Sequence, residues 1–424
     1  MAPVHIDPAD LARWLPVGGR VLVAGATGES RLLADAVMAA GNALGTTIFT
    51  GVFVPGVNRH TYLPAASSRC ETFFVTPQLQ PELGGRVDFL PLCYRDIGQY
   101  LRGQTIDAVL MMVTPPDENG WCSFGPAVDF AADLWADIPV RIAHINPLLP
   151  RTNGHAGIPF NAITACIEQA APIYETPAAD GGQDAVASAI AGHIAPYIGD
   201  GATLQTGVGK VPGAVLRALT GRRNLRVHSG LIGDGVVDLA DAGALAPGAS
   251  VVAGVAIGSA RLYHAITGPT FQFQPVSVTH DAATIGAISQ FVAINSAMDV
   301  DLLGQAYCET GPRGLMSGPG GASDYARGAG MGNGLRIIAL AATAARGTIS
   351  RIAVPGTVFG PVSLGRMDID IVVTQWGAAD VRGLSYAARA AALIAIADPT
   401  HRAALRAGWH EYANRLSGSG YEQA

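Results

Sequence analysis

Residues 203–239, TLQTGVGKVPGAVLRALTGRRNLRVHSGLIGDGVVDL, hold the residue types best suited to chemistry in this chain. An apolar, strand-like lead-in meets a glycine turn made of Gly207, Val208, Gly209, Lys210 and Val211. Pro212 then predicts the start of a helix, since its missing N–H is no loss in a first turn. Such a turn gathers backbone amides at a helix N-terminus, where unsatisfied N–H groups and the helix dipole both favour a phosphate or thioester oxygen. Lys210, the only lysine in the chain, sits in that turn. A second short strand, 225–227, ends in His228, Ser229 and Gly230. His228 and Gly230 are two residues apart, so they share one face of an extended strand, and histidine titrates where a general base should. The plainer alternatives are tight strand-to-helix packing for the turn, a solvated lysine and a structural histidine.

The elements that must position these residues read as α/β. Residues 21–24 form an apolar strand running into GATGES and a helical pattern, the same strand, glycine turn, helix order as at 203. Neither turn has the spacing of a P-loop or of G-x-G-x-x-G. Further strands are expected at 47–53, 73–75, 87–90, 108–113 and 140–145, with helical spacings between them, which argues for a mainly parallel sheet flanked by helices. The turn-rich TPPDENGWCSFGP and INPLLPRTNG each follow a predicted strand, as functional loops do. Composition shifts at ETPAADGGQDAVAS, which places a domain boundary between an N-terminal domain, 1–180, and a C-terminal domain, 181–424, that restarts the pattern. The repeated opening implies two similar α/β domains. Residues 384–405 read as helices, and the tail SGSGYEQA as frayed.

Composition excludes several classes. With 424 residues, 49% of them hydrophobic and 14% charged, the chain is long enough for two packed cores. A net charge of −6 and no basic run argue against nucleic acid. Five widely spaced cysteines with no CxxC pair argue against a disulfide framework or zinc site, and His and Asp/Glu do not cluster at metal-ligand spacing, so no metal is expected. No stretch reaches the roughly 20 apolar residues of a membrane span, and MAPVHIDPADLARWL lacks the apolar core of a signal peptide. A cytoplasmic protein with no membrane partner is the expectation.

QTGVGKVPGAVLRAL, NLRVHSGLIGDGVVDL, AINSAMDVDLLGQ, SGPGGASDYARGA and VVTQWGAADVRGLS, in this order, resemble the acetyl-CoA hydrolase/transferase family of class I CoA-transferases, which includes 4-hydroxybutyrate CoA-transferase. The resemblance spans about residues 25–405. It implies coenzyme A, carried as an acyl thioester, as the ligand, a small-molecule acceptor and a homodimer. It also implies a glutamate nucleophile that forms a glutamyl-CoA thioester, yet the matching position is Gly230. By the same resemblance Asn295 and Gly321 match groups that serve the oxyanion and CoA, residues 207–211 match the CoA-contacting turn, and Arg346 matches a basic position near CoA. A late Thr-Glu-Tyr-Gly motif reads Thr374, Gln375, Trp376, Gly377 here, and an Asn-Asp-Pro stretch reads His280, Asp281, Ala282. Taken without the surrounding motifs, Asn295 reads as a strand-to-loop tie and Arg346 as a solvated arginine.

His228 is the histidine able to act beside Gly230, although the resemblance also gives it a structural role. Cys308 is a further candidate nucleophile, if its thiol were acidified, with Glu309 beside it in the same loop. Asp234 and Asp238 match scaffold positions. Loss of the glutamate opens room for water or a second substrate to attack the thioester directly. Three readings follow: an acyl-CoA-using enzyme working by direct attack, a CoA-transferase with another nucleophile, and a non-catalytic CoA-binding protein.

Overall fold

The computed structural model describes residues 2–176, 184–311 and 314–418. The proposed boundary at 180/181 lies outside the described residues, as do positions 419–424 of the tail. Two eight-stranded sheets carry the architecture. The first is β1 (Val4–His5), β2 (Arg20–Val23), β3 (Ile48–Gly51), β4 (Arg69–Thr72), β5 (Val87–Phe89), β6 (Ala108–Val113), β7 (Val140–Ile145) and β8 (Ala165–Glu168). Its order across the sheet is β1-β8-β7-β6-β2-β3-β4-β5, parallel throughout. The second is β9 (Thr203–Thr206), β10 (Arg226–Ile232), β11 (Val251–Ala256), β12 (Phe271–Phe273), β13 (Phe291–Ser296), β14 (Leu335–Ala339), β15 (Ile371–Thr374) and β16 (Gly377–Asp380). Its order is β12-β11-β10-β9-β13-β14-β15-β16, parallel except for the last pair.

The two sheets share one route. A central strand (β2, β9) is followed by three strands laid to one side, after which the chain crosses to the central strand's other edge (β6, β13). Each crossing is a topological switch point, where the loops leaving the two central strands diverge and open a crevice at their carboxyl ends. In the second sheet those ends are Thr206, leading into the glycine turn, and Asn295, near the end of β13. The fully buried AVLMMV of β6 has no polar face because helices cover both sides of a parallel sheet.

The halves are stitched together near the carboxyl end of β11. Ala256 N–H donates to Pro126 O at 2.7 Å, and Val128 N–H to Gly254 O at 3.1 Å. The first glycine turn serves this junction: Ala26, Thr27 and Gly28 are buried, and the Thr27 hydroxyl donates to Ala256 O at 3.0 Å. Arg151 knits the two turn-rich loops, pairing with Asp117 at 3.3 Å and donating to the Thr114 hydroxyl and the carbonyls of Pro115 and Trp121.

Two local expectations shift. The strand expected at 73–75 is Arg69–Thr72, because Phe73, fully buried, belongs to the turn that closes against Gly318. The helix expected to open at Pro212 is α1 (Lys210–Ala218), preceded by Gly209. Pro212 is its third residue, whose N–H would have no intrahelical acceptor in any case. The helices expected at the end are Tyr386–Ile396 and Arg402–Leu416. Among the described residues no helix is long and apolar enough to cross a membrane.

Candidate active site

β10 carries the site. Ser229 turns toward the preceding strand, where its hydroxyl donates to Thr206 O at 2.7 Å. His228 and Gly230 face the other way, as strand alternation requires. His228 is buried, and its Nε2 hydrogen-bonds Thr279 O at 3.1 Å, so that nitrogen carries the proton and is engaged. Burial pushes its pKa below the usual histidine range. The expected general base is therefore a strut between β10 and the short helix α2 (Val276–Thr279).

The space beside Gly230 is filled. A Cβ placed on Gly230 would lie 2.3 Å from His280 Cε1, 2.5 Å from His280 Nε2 and 3.1 Å from Tyr325 Oη. One on Gly321 would lie 2.6 Å from His280 Nε2 and 2.7 Å from Cδ2. The imidazole edge thus enters a notch that exists only because both flanking residues are glycine. Its ring stacks on Tyr94 at 4.7 Å and 20°, and lies 4.9 Å from the Tyr325 ring. Tyr94 in turn stacks on Phe130 at 5.3 Å. Burial pushes the His280 pKa down to about 3, so the ring is neutral. Its Nδ1 lies 3.0 Å from the Thr279 hydroxyl, which itself donates to Pro275 O at 3.2 Å. The single hydroxyl proton of Thr279 serves either Pro275 O or Nδ1, and in both arrangements the contact holds the ring at Nδ1. Tyr325 is 2% exposed, and its hydroxyl lies against the Gly230 backbone, with no hydrogen bond of full geometry among the described residues. Burial raises its pKa well above the usual tyrosine value, so it stays a donor.

The glycine turn lies next along β10. Val208 packs on Gly233, 3.1 Å from where a Cβ would stand. Gly209 has φ 118 and ψ −171, a conformation open to glycine alone, and among the described residues no side chain caps α1 there. Unlike the first turn this one faces outward: Val208 is 41% exposed and the Lys210 side chain 82%. Lys210 is the first helical residue and reaches Asp184 at 3.3 Å, a solvated pair. Gly321 likewise precedes α3 (Ala322–Met331) with no side-chain cap among the described residues. Two helix starts whose first N–H groups are unclaimed among the described residues therefore flank the carboxyl half of β10, a donor set suited to the oxygens of a thioester and its phosphates.

Other expected residues are placed differently. Asn295 does not present an unpaired amide: it exchanges two 3.2 Å hydrogen bonds with Gln205 across β9 and β13, a strand-to-strand tie at the switch point. Arg346 is exposed at φ 57, with no ion pair or hydrogen bond among the described residues. The Cys308 thiol is pushed up to about 12 by burial, which removes it as a thiolate nucleophile. Glu309 is buried against the Ser363 hydroxyl at 2.8 Å. Gln375 accepts from Ala342 N–H at 2.8 Å, holding the loop after β14. Asp234 accepts from Ser259 and Asp238 from Arg261, as scaffold groups do. Among the described residues no group of three His, Cys, Asp or Glu is placed to hold a metal. Asp129, near the Tyr94 stack, is buried at φ 37, and burial pushes its carboxyl up to about 7.

Sequence reasoning passed over Tyr94, Tyr325 and the role of His280. Tyr325 was findable: it stands four residues after Gly321 at a helix start, so it returns to the same side. Nothing local signals that residue 280 enters the Gly230 notch.

Over 332 residues the chain is 35% identical to the 4-hydroxybutyrate coenzyme A transferase of Clostridium kluyveri, covering 76% of this chain and 77% of that protein. The chain belongs to the acetyl-CoA hydrolase/transferase family. Residues 258–408 match the acetyl-CoA hydrolase/transferase C-terminal domain. Among solved structures, RipA from Yersinia pestis superposes with a TM-score of 0.87 at 25% identity, over 97% of this chain and 98% of that one. A 4-hydroxybutyrate CoA-transferase from Porphyromonas gingivalis does so with 0.78 at 29%, over 96% and 98%. The protein is thus an enzyme of a CoA-transferase family.

Proposed function

We propose that this enzyme transfers the acyl group of an acyl-CoA directly to a second substrate or to water, with no glutamyl-CoA intermediate. The observation that carries the reading is the Gly230 notch: it holds no carboxylate, and the His280 ring leaves no room for one. The outward glycine turn and the uncapped start at Gly321 support CoA thioester binding, with residues 207–211 taking the phosphates and Gly321 the thioester oxygen. Lys210 is free to leave its solvated partner for a phosphate. Asn295 acts through Gln205, fixing the mouth of the crevice. The relatives' names point to small carboxylic acids as the acyl group.

The test is mass spectrometry of the intact protein after incubation with acetyl-CoA, butyryl-CoA or 4-hydroxybutyryl-CoA, with free CoA measured in parallel. CoA release without a covalent adduct is the expected result. CoA exchange into added acetate with an adduct on the protein would overturn it in favour of a CoA-transferase with a substitute nucleophile. Tight CoA binding with no release would mean a binding protein.

A further inference from the structure

The loops that leave the far strands of the second sheet bring together one aromatic ring and two unpaired cations. Between β15 and β16 the turn is Gln375 and Trp376 alone, since Thr374 already pairs with Gly377. Gln375 is turned inward to accept from Ala342 N–H, and Trp376 is turned outward, 47% exposed. Its indole lies beside the Asp398 carboxylate, one oxygen of which is held by the N–H and hydroxyl of Thr400. From β14 the chain leaves as a hairpin, Thr343–Ala344 pairing with Ile349–Ser350, whose exposed tip carries Arg346. Ala345 and Arg346 stand at φ 48 and 57, two successive side-chain-bearing residues in the left-handed region, a strain that persists where a loop has a task. His401 fixes that tip to the Trp376 side: its Nε2–H donates to Gly347 O at 2.8 Å, and its backbone N–H to Asp398 O at 3.0 Å. Arg402 follows, tied by Nε to Ala397 O at 2.9 Å. Neither its terminal nitrogens nor the Arg346 guanidinium has an ion-pair or hydrogen-bond partner among the described residues.

We infer that this patch is the nucleotide end of the coenzyme A site: the adenine ring stacks on Trp376, and the 3′-phosphate is met by Arg346 and Arg402. This rests on CoA binding in the reading above and not on its direct-transfer step. An exposed indole offers a face on which a base stacks, and unpaired guanidiniums suit a phosphate, so a ligand carrying both uses the whole patch. The strands from β10 to β15 are parallel, so the glycine turn after β9, the Arg346 hairpin after β14 and Trp376 after β15 all leave the same edge of the sheet. From β10 to β15 is four strand spacings, about 19 Å. The pantetheine arm and diphosphate of CoA bridge a gap of that kind. Thioester near β10, diphosphate at residues 207–211 and adenosine over β14 and β15 then lie in the order in which CoA carries them.

The test is calorimetric titration of the full-length protein with CoA, 3′-dephospho-CoA and 4′-phosphopantetheine. Trp376→Ala weakens CoA and 3′-dephospho-CoA by about tenfold and leaves 4′-phosphopantetheine, which has no base, within about twofold of wild type. Trp376→Phe keeps a stacking face and holds CoA affinity within about threefold. The double variant Arg346→Gln, Arg402→Gln weakens CoA by about tenfold and 3′-dephospho-CoA by less than about twofold. Trp376→Ala with unaltered CoA affinity, or with all three ligands weakened alike, overturns the inference while leaving CoA-dependent acyl transfer standing. A base-specific loss in Trp376→Ala, in a protein that forms a covalent CoA adduct, upholds this subsite and overturns direct transfer. A wild-type protein that binds none of the three ligands overturns both.

Discussion

Adding one methyl group at Gly230 tests whether the site is built as described. Gly230→Ala places a Cβ 2.3 Å from His280 Cε1 and 2.5 Å from Nε2, about an ångström inside ordinary contact. The imidazole has little room to retreat, since Tyr94 lies 4.7 Å away on one side, Tyr325 4.9 Å away on the other, and Nδ1 is tied to Thr279. Overpacking of this kind costs about 1–3 kcal/mol. Gly230 does not lie in the left-handed region, so alanine also restricts the unfolded chain and recovers roughly 0.4–1 kcal/mol, leaving a net loss of up to about 2.6 kcal/mol. His280→Ala alone removes a stacked, buried ring and costs about 2–4 kcal/mol. In the double variant the new methyl enters vacated space, so its cost falls short of the sum by about 1–3 kcal/mol. Urea denaturation of the four proteins measures this coupling. Additivity within about 0.5 kcal/mol would refute the packing argument. The same geometry predicts that Gly230→Glu alone forms no glutamyl-CoA adduct, while Gly230→Glu with His280→Asn has room to form one, as intact mass would show.

Three further outcomes follow from the geometry. Asp129 has a folded pKa near 7, raised by burial, against about 3.8 unfolded, so the native state binds more protons between those values and wild-type stability falls as pH rises through that window. Asp129→Asn, which also tolerates φ 37, matches wild type near pH 4 and gains up to about 4 kcal/mol at pH 8, read from urea midpoints at each pH; a pH-independent difference would count against a buried neutral carboxyl. Gly209→Ala strains a glycine-only backbone by about 1–3 kcal/mol and weakens CoA binding, measured calorimetrically, more than it lowers the melting temperature; unchanged affinity would remove the turn from the CoA site. Lys210→Ala changes stability by less than about 0.5 kcal/mol, because its pair with Asp184 is solvated, and reduces the salt dependence of CoA affinity if the lysine meets a phosphate.

The sequence by itself determined the architecture and the open glycine turn. Alternating apolar runs and helical spacings suffice for parallel strands, since a strand such as Ala108–Val113 declares its burial in its own composition. The glycines at 207 and 209 mark a backbone need that is local. Family motifs in order pointed to Gly230 as the position where the resemblance expects a glutamate. Tertiary structure alone decided what stands there instead. His280 lies 50 residues from Gly230, at the end of another helix, and Tyr94 comes from the other half of the chain. Which of the two glycine turns faces outward was also a matter of packing, the first being closed by Ala256. The same holds for Asn295, whose amide is claimed by Gln205, and for His228, whose proton is claimed by Thr279. Residue type sets what a group can do, and only its neighbours in space decide whether that capacity is already spent.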